Sequence, residues 1–438
     1  MSLRDFIEQA RESGDLITIT KAVSVRHELA NVAHALEGHA VLFENIVDYP
    51  GWRVISGPCA DRRYFSMALG VPVEQLLHHL AGALDHPQLP PVVDEAPCQE
   101  VVQETFDLAS LPILLHLPQD AGYYVASNVV ITRDPEFGRN MSYHRLMRLD
   151  DRHFATRIIE RRGTHTALGK VEGDLPIAIC IGVSLATHLA ASMGPPPGVD
   201  ELSVANALAP TPLVKCLSND LEVPADAEIV LEGRITRRMH REGPFMDLTE
   251  TMDIERDQPV IEIDLITHRR NPIYHALLPG GLEHKLLMGM PKEPTIYAEV
   301  NKVARCTGVV ITPGGASWLH AVVQIDKQGP DDGLRAIEAA FRGHGSLKHV
   351  WVVDGDVDIY DAAQVEWAMA TRFQADRDLY IFPNQPGSSL DPSGLHEPGQ
   401  KSRTTKMGLD CTIPWGVDHA KFRKGRYGDV DLEQYLGK

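Results

Sequence analysis

The sequence has 438 residues, of which 43% are hydrophobic and 23% charged, so we expect a folded chain of two or three domains rather than a disordered one. Its net charge of −18 argues against a nucleic acid or an anionic membrane surface as the main partner. No apolar run reaches transmembrane length and the N-terminus resembles neither a signal nor a transit peptide, so we predict a cytoplasmic protein with no membrane partner.

The first part of the chain predicts a small α/β domain. Ser2 is a suitable N-cap for the first helix, whose apolar residues recur on one face. Helices are predicted at 3–12, 28–36, 61–69 and 73–84, and strands at 16–20, 40–44 and 52–55. The Pro-rich stretch HPQLPPVVDEAP then predicts a linker after this domain.

The stretch 123–159 has the pattern strand, turn, strand, turn, strand, with turns at 134–138 and 150–151. Its middle strand is predicted to carry four polar or charged side chains, namely Asn140, His144, Arg145 and Arg148. Charged groups in a sheet need partners or water. From spacing alone, a solvated face is the more ordinary explanation, and an anion-binding site is the alternative.

The remainder of the chain predicts further strands and then alternating strands and helices. Strands are expected at 175–182, 213–217, 228–232, 235–238, 260–268 and 272–276, with helices at 184–192 and 200–208 on either side of the GPPPG break. This set predicts a mostly antiparallel barrel or split barrel. The last third predicts an α/β domain, with helices at 294–306, 333–341 and 363–371, strands at 309–312, 319–325 and 350–353, and a loop-rich segment from 374 onward.

Five motifs resemble the UbiD family of reversible decarboxylases. They are SNDLEVPADAEIVLEG at 218–233, EGPFMD at 242–247, GRNMSYHR at 138–145, ASMGPPPGVDE at 191–201 and KMGLDCT at 406–412. The resemblance extends from about residue 3 to residue 416. It implies a multidomain fold of α+β and α/β type: an N-terminal α/β domain, a central flavin-reductase-like split β-barrel and a C-terminal α/β domain. We expect these domains to span 1–108, 109–305 and 306–438.

The resemblance also implies cofactors and partners. It implies prenylated FMN, a divalent metal such as Mn²⁺ or Mg²⁺, and K⁺. It further implies a flavin prenyltransferase as the supplier of the cofactor, a small carboxylic acid and CO2 as reactants, and a homo-oligomer, either dimer or hexamer. The chemistry of decarboxylation also requires a cofactor, because loss of CO2 from an sp² carbon leaves charge that no side chain can accept. The protein must then bind a phosphate, orient a carboxylate and supply one proton.

Three residues match the catalytic positions that the resemblance implies. Arg145 would bind the substrate carboxylate, because its planar guanidinium offers paired donors. Glu242 would hold Arg145 in place, and Asp247 would donate the proton after CO2 leaves. A carboxyl group can serve as a donor when burial favours its protonated form. Without the resemblance, EGPFMD is better explained as a Gly-Pro turn with two exposed acids.

The resemblance implies a metal site made of Asn140, His165 and Glu201, of which His165 lies in the least typical context. An amide oxygen, an imidazole and a carboxylate suit Mn²⁺ or Mg²⁺, with the cofactor phosphate completing the coordination. Taken singly, a strand amide, a loop histidine and a helix-capping glutamate are the simpler explanations. The cofactor-binding residues implied are Asn140, Met141, Ser142, Tyr143, His144, Arg145, Ser192, Met193 and Glu201. Arg342 and Lys348 are candidates for the phosphate contact.

Asn140 and Arg145 are five residues apart, so a regular strand would place them on opposite faces. Both can reach one cofactor only if the strand bulges, bends or ends between them, and we predict an irregularity near 142–144.

The substrate is less constrained by the sequence. We favour an aromatic or heteroaromatic acid over a cinnamate-like one. His275, His284 and Lys285 are as consistent with pairing a polar substrate group as with exposure to solvent. Two other functions remain open, an FMN-dependent oxidoreductase on the same scaffold and an inactive assembly subunit.

Overall fold

The computed structural model of the chain describes residues 1–160, 162–397, 400–425 and 427–436. The N-terminal part contains α1 (Leu3–Ser13), β1 (Leu16–Ile19), α2 (Glu28–Ala35), β2 (Ala40–Phe43), β3 (Arg53–Ser56), α3 (Arg62–Leu69) and α4 (Leu76–Asp85). The central part contains β4 (Val92–Val93), β5 (Val101–Gln103), β6 (Tyr124–Val125), β7 (Asn128–Asp134), β8 (Gly138–Tyr143), β9 (Leu146–Arg148), β10 (His153–Thr156), α5 (Gly163–Lys170), β11 (Leu175–Ile181), α6 (Leu185–Met193), α7 (Glu201–Leu208), β12 (Leu213–Lys215), β13 (Glu222–Pro224), β14 (Ile229–Glu242), β15 (Phe245–Met246), β16 (Met252–Asp253), β17 (Arg256–His268), β18 (Ile273–His275), α8 (Leu282–Gly289) and α9 (Glu293–Asn301). The C-terminal part contains β19 (Arg305–Ile311), β20 (His320–Asp326), α10 (Asp332–Gly343), β21 (His349–Asp354), α11 (Ala362–Arg372), α12 (Ala375–Asp378), β22 (Leu379–Pro386), β23 (Arg403–Asp410) and α13 (Glu433–Leu436).

The N-terminal sheet is completed by a strand from the central part. Its order is β1-β2-β3-β18, and β18 lies parallel to β3. Helix α1 begins at a capping box formed by Ser2 and Asp5, and its apolar face is buried. Arg4, on the same helix, donates to both carboxylate oxygens of Glu228 at 2.7 and 2.8 Å. The first helix is therefore tied to the central part by an ion pair as well as by packing.

The central sheet has nine strands in the order β6-β9-β10-β17-β14-β11-β7-β8, with β5 also paired to β17. All its pairings are antiparallel. The chain joins its two ends through short connections, from β6 to β7 and from β8 to β9. Because so short a connection spans only a few ångströms per residue, the sheet must curl until its ends adjoin. No ladder links these ends within the described residues.

The strands predicted at 228–232 and 235–238 are one long strand, β14, with irregularities between Glu232 and Gly233 and between Ile235 and Met239. Close packing of this strand explains the glycine of the VLEG motif. A Cβ atom at Gly233 would lie 2.1 Å from the backbone oxygen of Glu262 on β17, so only glycine permits this approach.

Both faces of the central sheet are buried. Alternate residues of β7 belong to two different apolar clusters, with Val129 and Ile131 in one and Val130 in the other. A sheet covered on both faces explains the continuous apolar runs of this region. None of these runs produces a membrane-crossing element, since no described helix has both the length and the apolar character that a bilayer span requires.

The C-terminal sheet corrects two expectations. Its order is β19-β20-β21-β23-β22, so the segment after 374, predicted to be loop-rich, supplies two of its five strands. Pro383 and Pro386 argued against a strand at β22, but prolines are tolerated there because it is an edge strand. The helix predicted at 294–306 is also too long, because α9 ends at Asn301 and β19 already begins at Arg305.

Candidate active site

The candidate site forms where β8 stops. This strand carries Asn140 and ends at Tyr143, and β9 begins at Leu146. His144 and Arg145 therefore form a short connection between two strands. The predicted irregularity between Asn140 and Arg145 is confirmed. The placement of His144, Arg145 and Arg148 on the same strand as Asn140 is wrong, since the first two lie in the connection and Arg148 lies on β9. Because the strand breaks here, the alternation of a regular strand no longer forces Asn140 and Arg145 to opposite faces.

Arg145 lies at the centre of a cluster of carboxylates. Its Nε and Nη2 donate to the two oxygens of Glu242 at 2.8 and 2.9 Å. Nη1 donates to Asp247 at 3.3 Å, and Nη2 also donates to Asp253 at 2.9 Å. Glu242 is fully buried and accepts a further hydrogen bond from the Tyr124 hydroxyl at 3.1 Å. The structure therefore brings the predicted trio together and adds Tyr124 and Asp253, which the sequence analysis missed.

This cluster keeps Arg145 charged and largely occupied. Burial alone would lower the pKa of Arg145, but its contacts with Glu242, and then the charges of Asp253 and Asp247, raise it above the ordinary value. A guanidinium has five N–H donors. Four of them are used within the described residues, which leaves one N–H on Nη1. Asp253 also pairs with Arg256, which donates to it at 2.6 and 2.9 Å.

Helix α7 places Glu201 against strand β8. Asp200 caps this helix by accepting from the backbone N–H of Leu202 at 3.0 Å, so Glu201 is the first helical residue. Glu201 accepts a hydrogen bond from the backbone N–H of Met141 at 2.9 Å. Burial raises the pKa of Glu201 to about 7, against the lowering effect of this hydrogen bond. A positive ion beside it would offset the cost of burying its charge.

Asn140 directly precedes Met141, the residue that donates to Glu201. The side chain of Asn140 lies against the start of α5. A Cβ atom at Gly163 would be 2.4 Å from Oδ1 of Asn140, so the amide packs directly on this glycine. Nδ2 of Asn140 is buried and has no partner among the described residues. His165 is exposed, two residues beyond Gly163 on the same helix.

The donor set fits a hard divalent ion, since it combines an amide, a carboxylate and an imidazole. The structure brings two of the predicted ligands, Asn140 and Glu201, to adjacent points of β8, and the helix that carries His165 packs on Asn140. In the described part of the chain, the candidate site included, no three His, Cys, Asp or Glu side chains form a cluster able to hold a metal, so a site here depends on the Asn140 amide as a ligand.

His144, in the connection between β8 and β9, has hydrogen-bond partners at both ring nitrogens. Its Nε2 lies 2.9 Å from the Thr164 hydroxyl and 3.2 Å from that of Ser142, and its Nδ1 lies 3.0 Å from the carbonyl oxygen of Arg157. A carbonyl only accepts, so Nδ1 carries the proton and Nε2 accepts from a hydroxyl. Burial lowers the pKa of His144, which favours the neutral ring.

The other predicted cofactor contacts are engaged within the protein. The Tyr143 hydroxyl donates to the backbone oxygen of His188 at 2.7 Å. The Ser192 hydroxyl donates to the backbone oxygen of Leu287 at 2.5 Å. The predicted contact of Ser192 with the cofactor therefore gains no support from this geometry and stays a prediction. Met193 is fully buried, and only its carbonyl faces a cation.

That cation is Lys292, a basic residue that the sequence analysis missed. Its Nζ donates to the Met193 carbonyl at 3.1 Å and would lie 2.9 Å from a Cβ at Gly194. Burial lowers the pKa of Lys292 to about 8, and the charge of Arg162 lowers it further, while Glu201 raises it. Lys292 thus lies near the Glu201 carboxylate. The only signal in the sequence was a lysine in MGMPKEP, which periodicity cannot distinguish from a surface lysine.

The two basic residues chosen from the sequence are engaged elsewhere. Arg342 is half-exposed and lies 3.9 Å from Glu299. Lys348 pairs with Asp391 at 3.0 Å.

The three residues considered for the substrate also differ in their surroundings. His275 is fully buried, with Nε2 2.9 Å from a Glu283 oxygen. Lys285 forms an ion pair with Glu250. His284 accepts a backbone N–H at 3.1 Å through Nδ1 and is only partly buried, so of the three it is the best available to a ligand.

The fold and the site together define a class of protein. A permanently charged arginine surrounded by carboxylates, next to a buried amide and carboxylate, is suited to binding an organic acid and moving a proton. Three family models match consecutive parts of the chain. They are the N-terminal domain of 3-octaprenyl-4-hydroxybenzoate carboxy-lyase at 7–84, its Rift-related domain at 91–282 and its C-terminal domain at 285–411. The chain belongs to the UbiD family of carboxy-lyases.

Named relatives agree with this membership. The chain is 41% identical over 422 residues to an anhydromevalonate phosphate decarboxylase of Methanothermobacter thermautotrophicus, covering 94% of this chain and 97% of that protein. It is 31% identical to a gallate decarboxylase of Lactiplantibacillus plantarum, covering 91% and 89%. The UbiD-class enzyme HmfF from Pelotomaculum thermopropionicum, solved in complex with FMN, is 37% identical with a TM-score of 0.93 and full coverage of both chains. An evolved dimeric form of HmfF in complex with prFMN has a TM-score of 0.90 at the same identity, covering 99% of this chain and all of that one.

Proposed function

We propose that this chain catalyses the non-oxidative, reversible decarboxylation of an aromatic, heteroaromatic or α,β-unsaturated carboxylic acid, with prenylated FMN as cofactor. The observation that carries the proposal is the Arg145 guanidinium, which is held by Glu242 and contacts Asp247 at 3.3 Å. The complexes of HmfF with FMN and of its evolved form with prFMN support the choice of cofactor. When bound, prenylated FMN supplies the electron sink that side chains lack.

Each member of the trio has one task in this proposal. Arg145 binds the carboxylate of the acid, and Glu242 positions Arg145 through two hydrogen bonds. The bond between the carboxylate carbon and its neighbour breaks, CO2 leaves, and a proton from Asp247 takes its place on the substrate carbon. In the reverse direction, Asp247 takes that proton back. Asp253 accepts a hydrogen bond from Arg145 and Tyr124 donates one to Glu242, so both members of the pair are held in place.

We further propose that Asn140, His165 and Glu201 would hold Mn²⁺ or Mg²⁺, which would supply positive charge for the cofactor phosphate, with K⁺ as a second cation. The Asn140 amide, which packs on Gly163, and the half-buried Glu201 carboxylate, which lies at the Met141 N–H, support this site. The nine cofactor-binding residues predicted from the sequence remain our proposal, to which Lys292 is added because it is a half-buried cation whose charge and that of Glu201 shift each other's pKa.

Gly163→Ala tests the metal site without removing any ligand. The new Cβ would overlap Asn140 Oδ1 and displace the amide, and crowding of this kind costs about 1–3 kcal/mol. We therefore expect metal and flavin retention to be weaker by about tenfold. The measurement is metal content and flavin absorbance after dialysis. Gly169→Ala is the matched control on the same helix, because a Cβ there meets nothing within 4 Å. Equal retention by the two variants would contradict the placement of the metal on Asn140.

The substrate classes differ in charge. The 41% identity to anhydromevalonate phosphate decarboxylase favours an unsaturated aliphatic acid that carries a phosphate. The 31% identity to gallate decarboxylase is weaker support for an aromatic acid. We therefore place phosphorylated enoic acids first in the substrate panel and hydroxybenzoates, furoates and pyrrole- or indole-carboxylates second.

The test is expression with and without a flavin prenyltransferase. The spectrum and mass of the bound cofactor are recorded, and CO2 release is measured across the acid panel. We expect turnover only after co-expression, and Asp247→Asn should abolish it. Turnover that does not depend on the prenyltransferase would refute the proposal. An FMN-dependent oxidoreductase, the alternative, would instead oxidise NAD(P)H and hardly respond to Asp247→Asn.

The remaining parts of the proposal concern organisation. We propose that the curled central sheet is the flavin-reductase-like split barrel, that the domains span 1–108, 109–305 and 306–438, and that the enzyme is a cytoplasmic homo-oligomer, a dimer or a hexamer. A flavin prenyltransferase would supply its cofactor. The evolved dimeric form of HmfF supports the possibility of a dimer.

A further inference from the structure

Arg157 lies across from Arg145, each one residue beyond the paired ends of β10 and β9. Strands β9 and β10 pair with Leu146 opposite Thr156, and the backbone N–H of Arg157 donates to the carbonyl oxygen of Arg145 at 3.3 Å. The next pair in this register is therefore Arg145 with Arg157. Residues directly opposite in an antiparallel ladder point to the same face, so the two guanidinium groups extend on the same side of the sheet.

The two arginines differ in how they are occupied. Arg145 has three carboxylate partners and a single N–H left over. Arg157 is half-buried, and among the residues that the structure describes its guanidinium donates only to the backbone oxygen of Ile158, at 2.9 Å. No carboxylate among the described residues forms an ion pair with it, and none of its nitrogen atoms is a fully buried, unpaired donor. Its remaining N–H groups are therefore not sealed inside the protein.

The surroundings of Arg157 are unfavourable for a cation without an anion. Burial lowers its pKa, the nearby charges of Arg256 and Arg145 lower it further, and Asp253 and Glu242 oppose this effect. Like charges that face each other across a ladder destabilise a sheet. An added anion between Arg145 and Arg157 would relieve this repulsion and would use both the last N–H of Arg145 and the free donors of Arg157.

We propose that Arg157 is a second arginine of the substrate site and that it binds the carboxylate of the acid together with Arg145. The inference rests on the proposed function and deepens it. Arg145 alone cannot hold a carboxylate by two hydrogen bonds unless it releases Asp247, Asp253 or Glu242. With Arg157 as the second donor, the substrate binds while these three carboxylates stay in place, and Asp247 remains beside the reacting carbon.

The kinetic test compares Arg157→Gln, Arg157→Lys and Arg238→Gln in the cofactor-loaded enzyme with the acid that the panel identifies. Arg238 is an exposed arginine of β14 in the same sheet, with no ion pair in the described part of the chain, and it is the control for loss of one charge. We expect Arg157→Gln to raise KM by about tenfold or more, because charge-assisted hydrogen bonds are lost. Its kcat should stay within about threefold, the pattern of a lost binding contact. Arg157→Lys should restore part of the affinity, and Arg238→Gln should behave as the unaltered enzyme. An unchanged KM in Arg157→Gln would overturn the proposal.

A second measurement does not need turnover. The purified protein is treated with phenylglyoxal, which reacts with accessible guanidinium groups, and the adducts are located by mass spectrometry with sodium benzoate or sodium phosphate present. We expect rapid modification of Arg157 and protection by benzoate but not by phosphate. Absence of protection by either anion would overturn the proposal, and stronger protection by phosphate would overturn the carboxylate assignment. If no acid of the panel is turned over but benzoate still protects Arg157, the proposed function fails and the anion site stands.

Discussion

Replacing Arg145 with Lys is expected to lower kcat by about 100-fold or more, because the substrate carboxylate loses its positioned donor. A lysine keeps the positive charge but has a single ammonium group in place of the planar fork. It cannot donate to both oxygens of Glu242, to Asp247 and to Asp253 with the geometry seen here. Steady-state turnover with the best acid of the panel, at saturating concentration, measures this effect.

The control for this prediction is Arg4→Lys. Arg4 donates through two nitrogens to the buried carboxylate of Glu228, so it makes the same kind of fork outside the candidate site. Both variants should stay folded and keep the flavin, as thermal unfolding and the cofactor spectrum would show. If Arg145→Lys turned over as fast as Arg4→Lys, Arg145 would have no role in the reaction.

Replacing Glu201 with Gln is expected to remove metal and cofactor together. The carboxylate is half-buried, and burial raises its pKa to about 7, so the site favours a cation that compensates for its charge. Gln keeps the shape and can still accept from the Met141 N–H, but it has no charge to offer a divalent ion. A weakened ligand set lowers metal affinity by about 10–100-fold or more, and the phosphate loses the ion that anchors it. Metal analysis and flavin absorbance of the purified variant measure both losses.

The matched control is Glu232→Gln. Glu232 also accepts backbone N–H groups, those of Leu217 and Ser218, and is fully buried, but it lies outside the candidate site. Its replacement should leave metal and flavin content unchanged. Asn140→Ala should behave like Glu201→Gln, since it removes the other ligand on the same strand segment. A Glu201→Gln protein that retained a full complement of flavin would show that the phosphate is not held through a metal at this carboxylate.

Part of this site was predictable because its residues lie in short local motifs. EGPFMD and GRNMSYHR name Glu242, Asp247, Asn140 and Arg145, and the five-residue spacing of the last two already required the strand to break. Asp253 and Tyr124 could not be found this way. Asp253 reaches Arg145 only because β15 and β16 form a hairpin, and Tyr124 reaches Glu242 from a strand more than a hundred positions away in the chain.

In the C-terminal segment, too, local patterns were predictable and long-range pairing was not. The helices predicted near 333–341 and 363–371 correspond to α10 and α11, because amphipathic periodicity is a local property. β23 escaped prediction because it is stabilised by pairing with β21, far back in the chain, and β22 because it pairs only with β23 and its prolines mask its alternation.

The sequence by itself determined the membership of the UbiD family, the multidomain α/β character and the candidate trio, since each is carried by short motifs that can be recognised one at a time. Tertiary structure alone decided which charges remain without a partner. Arg145 and Arg157 look alike in the sequence, yet three carboxylates from distant strands surround one and no carboxylate pairs with the other in the described residues. Electrostatic interaction depends on distance in space, and only the register of a folded sheet sets that distance.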